Sequence, residues 1–95
     1  MKERITKSKG NVFLDLGFSR EEATVLAMRA ELMATLRKLI ATRGWTQQEA
    51  AVRLGITQSR VSDLVRGKWE KFSPDMLVVL ASRVGQKPSL VLQAA

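Results

Sequence analysis

The chain has 95 residues, a formal net charge of +7 and a pI near 10.6, with no cysteine and no histidine. This length predicts one domain with a modest core, which dimerisation would supplement. The missing residue types exclude a disulfide framework, a zinc finger, and thiol or imidazole catalysis. The charge favours a polyanionic partner, nucleic acid ahead of an acidic membrane surface.

Residues 1–10 are polar and basic, and we expect a flexible tail there. An arm that becomes ordered on DNA or on a partner is the alternative. We find no apolar signal core in this stretch and no later stretch apolar enough to span a bilayer, so we expect a cytoplasmic protein. Residues 11–95 are predicted to form a single domain.

An apolar patch at residues 11–18 is too short for a helix of its own and is closed by Gly17. We expect an extended or one-turn segment packed on the body. Ser19, followed three residues later by a glutamate, forms a capping-box pattern that opens a long helix. That helix continues without glycine or proline to Arg43, and Gly44 stops it.

Two apolar stripes run along this long helix at three- and four-residue steps. The first is predicted to be buried and consists of Val25, Met28, Leu32, Leu36 and Leu39. The second lies beside it and consists of Leu26, Ala30, Met33 and Ile40. Because residues 23–33 contain few polar positions, this half of the helix needs cover on more than one side. The patch at residues 12–18 could cover one side and a second subunit another.

Residues 46–67 carry the pattern of two short helices joined by a tight turn. A capping box opens the first helix at Thr46, and Thr57 is a plausible cap for the second. Ala51 and Gly55 supply the small contact residue and the permissive turn that steeply crossing helices need. The predicted inward positions are Ala50, Leu54, Ile56, Val61 and Leu64. The predicted outer face carries Gln47, Gln58, Ser59, Ser62 and Arg66. This pattern predicts a helix-turn-helix built for the DNA major groove.

Residues 68–72 are predicted to be a loop, and Ser73 followed by proline starts a last helix. That helix should run to about Val84 and end at Gly85. Its predicted inward face consists of Met76, Leu77, Leu80, Ala81 and Val84. Residues 89–93 are predicted to form a short strand or pairing segment.

The residues at 46–68 and 77–85 resemble the Xre family, the lambda-Cro-like helix-turn-helix fold of phage repressors and bacterial regulators. The flanking patterns at 11–18 and 72–77 resemble a narrower branch that contains HigA-like antitoxins, often encoded beside a RelE-type ribonuclease toxin. The resemblance covers most of the chain. It implies an all-α, lambda-repressor-like domain of five helices or fewer, with a long first helix and a short N-terminal apolar segment.

The resemblance also implies how the motif meets DNA. Gln47 would contact the DNA backbone and brace the second helix of the motif. The residues of that helix that face the groove would be Gln58, Ser59, Arg60 and Ser62. Glutamine pairs bidentately with adenine and arginine with guanine, which makes Gln58 and Arg60 candidates for base contacts. The alternative is that both are ordinary solvent-facing helix residues.

Several basic residues surround the motif. Arg53, Arg66, Lys68 and Lys71 are predicted to contact phosphates, although they could equally be solubilising charges. Asp63 stands where relatives commonly carry a basic or amide residue, and we leave it outside the predicted site. Trp45 and Trp69 flank the motif and are predicted to be packing anchors, because a duplex offers no exposed bases for stacking.

We predict a homodimeric repressor that binds double-stranded DNA at a palindromic operator in its own promoter, without a cofactor or metal. The alternative is an antitoxin-type interaction module that neutralises a RelE-like toxin, with DNA binding secondary. The apolar excess in residues 23–33 and the polar tail support that alternative. We do not expect an enzyme, since Glu21 and Glu22 are explained by the N-terminal turn of a helix.

Overall fold

The computed structural model describes residues 12–89 and 91–92. Within them the chain is all-α, as predicted, with five α-helices, one turn of 3-10 helix and no strand. The helices are α1 (residues 12–15), α2 (Arg20–Arg43), α3 (Gln47–Leu54), α4 (Gln58–Val65) and α5 (Pro74–Arg83), and the 3-10 turn spans Trp69–Lys71. The predicted tail at residues 1–10 lies outside the described residues.

Side-chain caps begin the four longer helices where the sequence predicts. The Ser19 hydroxyl accepts from the Glu22 amide at 3.2 Å, and the Glu22 carboxylate accepts from the Ser19 amide at 3.0 Å. The same reciprocal pair opens α3 at Thr46. Thr57 and Ser73 each accept one backbone hydrogen bond at the start of α4 and α5. These contacts satisfy amide donors that a helix start leaves unpaired, so the four start points are fixed locally.

The core forms where α2 packs on α5, α3 on α4, and α3 on α5. Both motif helices and α5 bury their predicted inward faces, except that Ile56, Met76 and Val84 are only half-buried at the edge. The largest side chains that are fully buried are Phe72, Leu36, Leu54, Leu64, Leu77, Leu80 and Val61. This arrangement packs the two motif helices on each other and α3 on α5, which in turn packs on α2.

The predicted buried stripe along α2 is wrong in its N-terminal half. Val25 and Met28 are 47% and 40% exposed. The buried face instead consists of Ala23, Leu26, Met33, Leu36 and Ile40. The two stripes have the same periodicity, and the buried face takes Leu36 from the first stripe and Leu26, Met33 and Ile40 from the second.

The N-terminal apolar segment is a single helical turn packed on the body, as expected. α1 is followed by a turn at Gly17, whose φ is +98°. The Phe13 ring meets the rings of Phe18 and Trp69 edge-on, with centroids 6.3 and 6.2 Å apart. This aromatic cluster ties α1 to the segment that follows α4.

Two predictions for the C-terminal part are wrong. The predicted loop at residues 68–72 contains the 3-10 turn, and Phe72 at its end is 1% exposed. A lone aromatic residue without periodicity gives no sequence signal for this burial. In the predicted strand, the described residues 89, 91 and 92 have no regular structure, and Leu90 and Gln93 lie outside the described part. Val91 and Leu92 are exposed and the described part of the chain contains no strand beside them, so the strand is wrong, while pairing with a second subunit stays a prediction.

We expect Gly55→Ala to lower the free energy of unfolding. Gly55 has a φ of +70°, where an L-residue costs about 1–2 kcal/mol. An added Cβ would also lie 3.1 Å from Arg83 Nη1, which donates to the Leu54 carbonyl at 2.9 Å. Gly44→Ala is the matched control, since its φ is +68° and its Cβ would meet nothing within 4 Å. In chemical denaturation Gly55→Ala should lose more stability, and equal losses would show that Arg83 moves aside without cost.

Candidate nucleic-acid interface

The motif helices meet through small and apolar side chains. Ala50, Leu54, Val61 and Leu64 have no exposed surface. The turn between the helices closes at Gly55, and the Ile56 amide donates to the Ala51 carbonyl at 3.1 Å. Because the inner faces are completely buried, most polar residues of the two helices lie on the opposite, outer side.

The outer face of α4 carries most of the residues predicted to meet the groove. Gln58 and Ser59 are exposed at the first turn, Ser62 is half-buried one turn later, and Arg66 is exposed at the end. The Gln58 and Ser59 side chains make no hydrogen bond to another described residue. The face therefore presents free hydrogen-bond donors and acceptors at the N-terminal end of α4. In a helix-turn-helix, the side chains at this end of the second helix contact base edges.

Arg60 is directed toward the protein and away from that face. Its guanidinium carbon lies 4.4 Å from the centre of the Phe72 ring, and Nη1 donates to the Lys71 carbonyl at 3.1 Å. Both contacts join α4 to the 3-10 turn. In this conformation Arg60 is a brace, and the predicted contact with guanine would need its remaining N–H groups. The sequence does not reveal this role, because the partners lie eleven and twelve positions away.

A family model for a helix-turn-helix domain matches residues 12–92. The chain belongs to this helix-turn-helix family. The match spans α1 to α5 and includes the motif at residues 46–67. No curated protein gives a significant match to the sequence.

A helix-turn-helix is a DNA-binding architecture, and the motif described above is this protein's DNA-binding element. The Xre family and its HigA-like branch are narrower groups, and membership in them stays a prediction. Among the described residues, no helix is both long and apolar enough to cross a bilayer.

Two of the predicted phosphate ligands of this helix-turn-helix converge on Asp63. Lys68 Nζ lies 3.8 Å from Oδ1 and Lys71 Nζ lies 3.9 Å from Oδ2. The lysine side chains are 42% and 51% exposed, and the aspartate is 18% exposed. The three charges form a cluster beside the outer face of α4 with a net charge of +1, since each lysine contributes +1 and the aspartate −1.

The remaining predicted contacts lie on α3. Gln47 is the first residue of α3 and is exposed, as its predicted contact with the DNA backbone requires. Arg53 lies over the Trp45 ring, 5.1 Å from its centre, and lines a separate open cleft of about 650 Å³. No described residue of α4 lines that cleft. A phosphate contact by Arg53 would therefore use a surface separate from the groove-facing one.

The Arg53 cleft contains two basic residues that sequence reasoning missed. Arg43 lies over the same Trp45 ring at 5.5 Å, and Arg83 is held by the Leu54 carbonyl. Both stand in the last turn of a helix, where a basic residue is explained by the helix dipole and gives no further signal. Trp45 and Trp69 are half-buried against the core, which confirms them as packing anchors.

Proposed function

We propose that this helix-turn-helix protein is a transcriptional repressor that binds a palindromic operator as a homodimer. The observation that carries the proposal is the outer face of α4. Its inner face is fully buried, so the helix is fixed in place, while Gln58 and Ser59 stand exposed and unengaged at its first turn. The basic residues that can contact phosphates lie at the end of α4 and in the segment that follows it: Arg66, Lys68 and Lys71.

A two-fold dimer would place two α4 helices about 34 Å apart, one turn of DNA. Exposed apolar side chains on α1 and the first half of α2 support a second subunit: Val12, Leu14, Leu16, Val25 and Met28. Val91 and Leu92 form the other candidate contact. The resemblance to HigA-like proteins supports the protein's own promoter as the operator, and a cytoplasmic location follows from that function. Sedimentation analysis should give a dimer at micromolar concentration, and a persistent monomer would contradict the two-fold arrangement.

The second candidate is an antitoxin-type module that neutralises a RelE-like ribonuclease. An open cleft of about 370 Å³ on α2 favours it, because its lining carries two carboxylates, Glu21 and Glu22, against one guanidinium, Arg29, beside exposed Val25. An enzyme that binds RNA carries a basic surface, which would complement these carboxylates. The cheap discriminating observation is a small ribonuclease gene next to this one. Inhibition of that ribonuclease by the purified protein, reduced by a Glu21→Lys change, would then favour this function.

We expect Gln58→Ala to weaken operator binding while sparing the fold. A lost bidentate base contact costs about 1–3 kcal/mol, or about 5- to 150-fold in affinity, per half-site. Alanine is a good helix former, so the melting temperature should not fall. Fluorescence anisotropy with the DNA upstream of the gene gives the affinity.

Gln48→Ala is the control for this change, because Gln48 is exposed on α3 and lines the cleft that α4 does not reach. It should bind the operator like the unmodified protein. If Gln58→Ala unfolds the domain, Gln58 is a core residue and the assignment of faces on α4 fails. If both variants bind equally well, Gln58 contacts no base.

A further inference from the structure

Asp63 stands on the outer face of α4, one helical turn after Ser59 and next to Ser62. This is the side of the helix that the proposed function turns toward DNA. A carboxylate there opposes phosphate binding, because it repels the backbone charges. The residue is nevertheless only 18% exposed, and two ammonium groups approach it from the segment after α4.

The fold brings those ammonium groups to Asp63 by fixing the backbone from which the lysine side chains extend. The chain turns back after Gly67, and Arg60 fixes the Lys71 carbonyl to α4 by its 3.1 Å hydrogen bond. The N–O distances to Lys68 and Lys71 are 3.8 and 3.9 Å, longer than the roughly 2.7–2.9 Å of a charge-assisted hydrogen bond. The lysines are therefore drawn toward the carboxylate without being locked, and each can exchange it for a phosphate.

We propose that Asp63 restrains the affinity of this protein for DNA by holding Lys68 and Lys71 against α4 and by cancelling one of their two charges. The proposal rests on the DNA-binding function proposed above. The restraint is independent of DNA sequence, because it acts on phosphate contacts, which supply nearly all of non-specific binding. Asp63 would keep both operator binding and non-specific binding weaker than the basic composition of the chain allows.

The test is Asp63→Asn, measured on the upstream duplex and on a scrambled duplex across a salt series. Affinity for both duplexes should rise in parallel. For each half-site, the slope of log affinity against log salt should steepen by about 0.9, one effective phosphate contact, which makes the gain about eightfold larger per half-site for each tenfold dilution of salt. Glu31→Gln removes the same charge from an exposed site in the middle of α2 and should leave the slope unchanged.

A second background separates restraint of the lysines from a general gain of positive charge. In a Lys68→Gln, Lys71→Gln protein, Asp63→Asn should have a much smaller effect. An undiminished effect there would overturn the role assigned to the lysines. Asp63→Ser serves as a second variant, and both Asp63 variants should show nearly the melting temperature of the unmodified protein, because long ion pairs to lysines that are 42% and 51% exposed contribute little to stability.

Two further outcomes would overturn the proposal. Unchanged affinity for both duplexes would mean that Asp63 restrains nothing. A selective loss of operator affinity would mean that its carboxylate accepts a hydrogen bond from a base, as aspartate does from cytosine. Selectivity of the unmodified protein tests the proposed function, and the parallel shift tests the restraint, so either can fail alone. A protein that binds neither duplex in either form overturns both.

Discussion

Replacing Phe72 by alanine is expected to lower the free energy of unfolding by about 3–5 kcal/mol. Phe72 is 1% exposed and is the largest of the fully buried side chains. Its loss would leave a cavity in the core cluster, which also contains Leu64 and Leu77. Domains of this size are stable by about 5–15 kcal/mol, so the change removes a large share of the total. Chemical denaturation followed by circular dichroism gives the value.

The same change should disturb the recognition surface, because Phe72 supports the Arg60 guanidinium that braces α4. Phe72→Leu is the matched control, since it keeps an apolar side chain in the core while removing the aromatic face. It should cost less stability than alanine and still loosen Arg60. If Phe72→Ala unfolds at the denaturant concentration of the unmodified protein, Phe72 is not a core residue and the packing of the 3-10 turn on α4 is wrong.

Replacing Ser59 by aspartate is expected to abolish most operator binding without harming the fold. The carboxylate would stand at the exposed first turn of α4, facing the base edges and phosphates of the groove. Loss of one phosphate contact and one base contact amounts to about 10- to 100-fold in affinity per half-site. A negative charge in the first turn of a helix is favourable, so the melting temperature should be unchanged or slightly raised.

Ser19→Asp is the control for this change, because it introduces the same charge at the N-cap of α2. Aspartate is among the preferred residues at an N-cap, so the fold should tolerate the change. Ser19 also lies ten residues before Arg29, which is the residue of α2 that contacts Trp69 near the motif. Anisotropy measurements should show near-normal DNA binding for Ser19→Asp. Equal losses for the two variants would mean that overall charge, and not the outer face of α4, governs binding.

The helix starts could be predicted from the sequence because each is fixed by residues within three positions. Ser19, Thr46 and Ser73 form the predicted caps, and Gly44 and Gly55 adopt the left-handed conformation that ends a helix. The inner faces of the motif helices could also be predicted from the sequence, because an eight-residue helix has room for only one apolar face. Local chemistry and periodicity therefore suffice for the element order and the motif.

The face that α2 buries could not be predicted in the same way. Its two apolar stripes are adjacent and equally periodic, and the packing of α5 and the motif on α2 decides which residues of each stripe are buried. Val25 and Met28 consequently stayed exposed despite their spacing. The burial of Phe72 was missed for a related reason, because the core cluster that surrounds it draws residues from α2, α3, α4 and α5, which only the tertiary fold brings together.

In the candidate site, too, local features could be predicted from the sequence and contacts between distant residues could not. The exposure of Gln58 and Ser59 follows from helix periodicity, and the sequence predicted it. The inward direction of Arg60 depends on Phe72, and the convergence of Lys68 and Lys71 on Asp63 depends on the turn after α4. Such contacts of charged side chains are determined by the tertiary fold, and no sequence pattern predicts them.

We propose that the exposed face of α4 recognises a DNA sequence. The most direct measurement is binding of the purified protein to the DNA upstream of its own gene and to a scrambled duplex of equal length, across a salt series. We expect tighter binding to the upstream duplex, with affinity for both falling as salt rises because phosphate contacts release counterions. Equal and weak binding to the two duplexes would contradict sequence recognition by α4 and would favour the protein-interaction function.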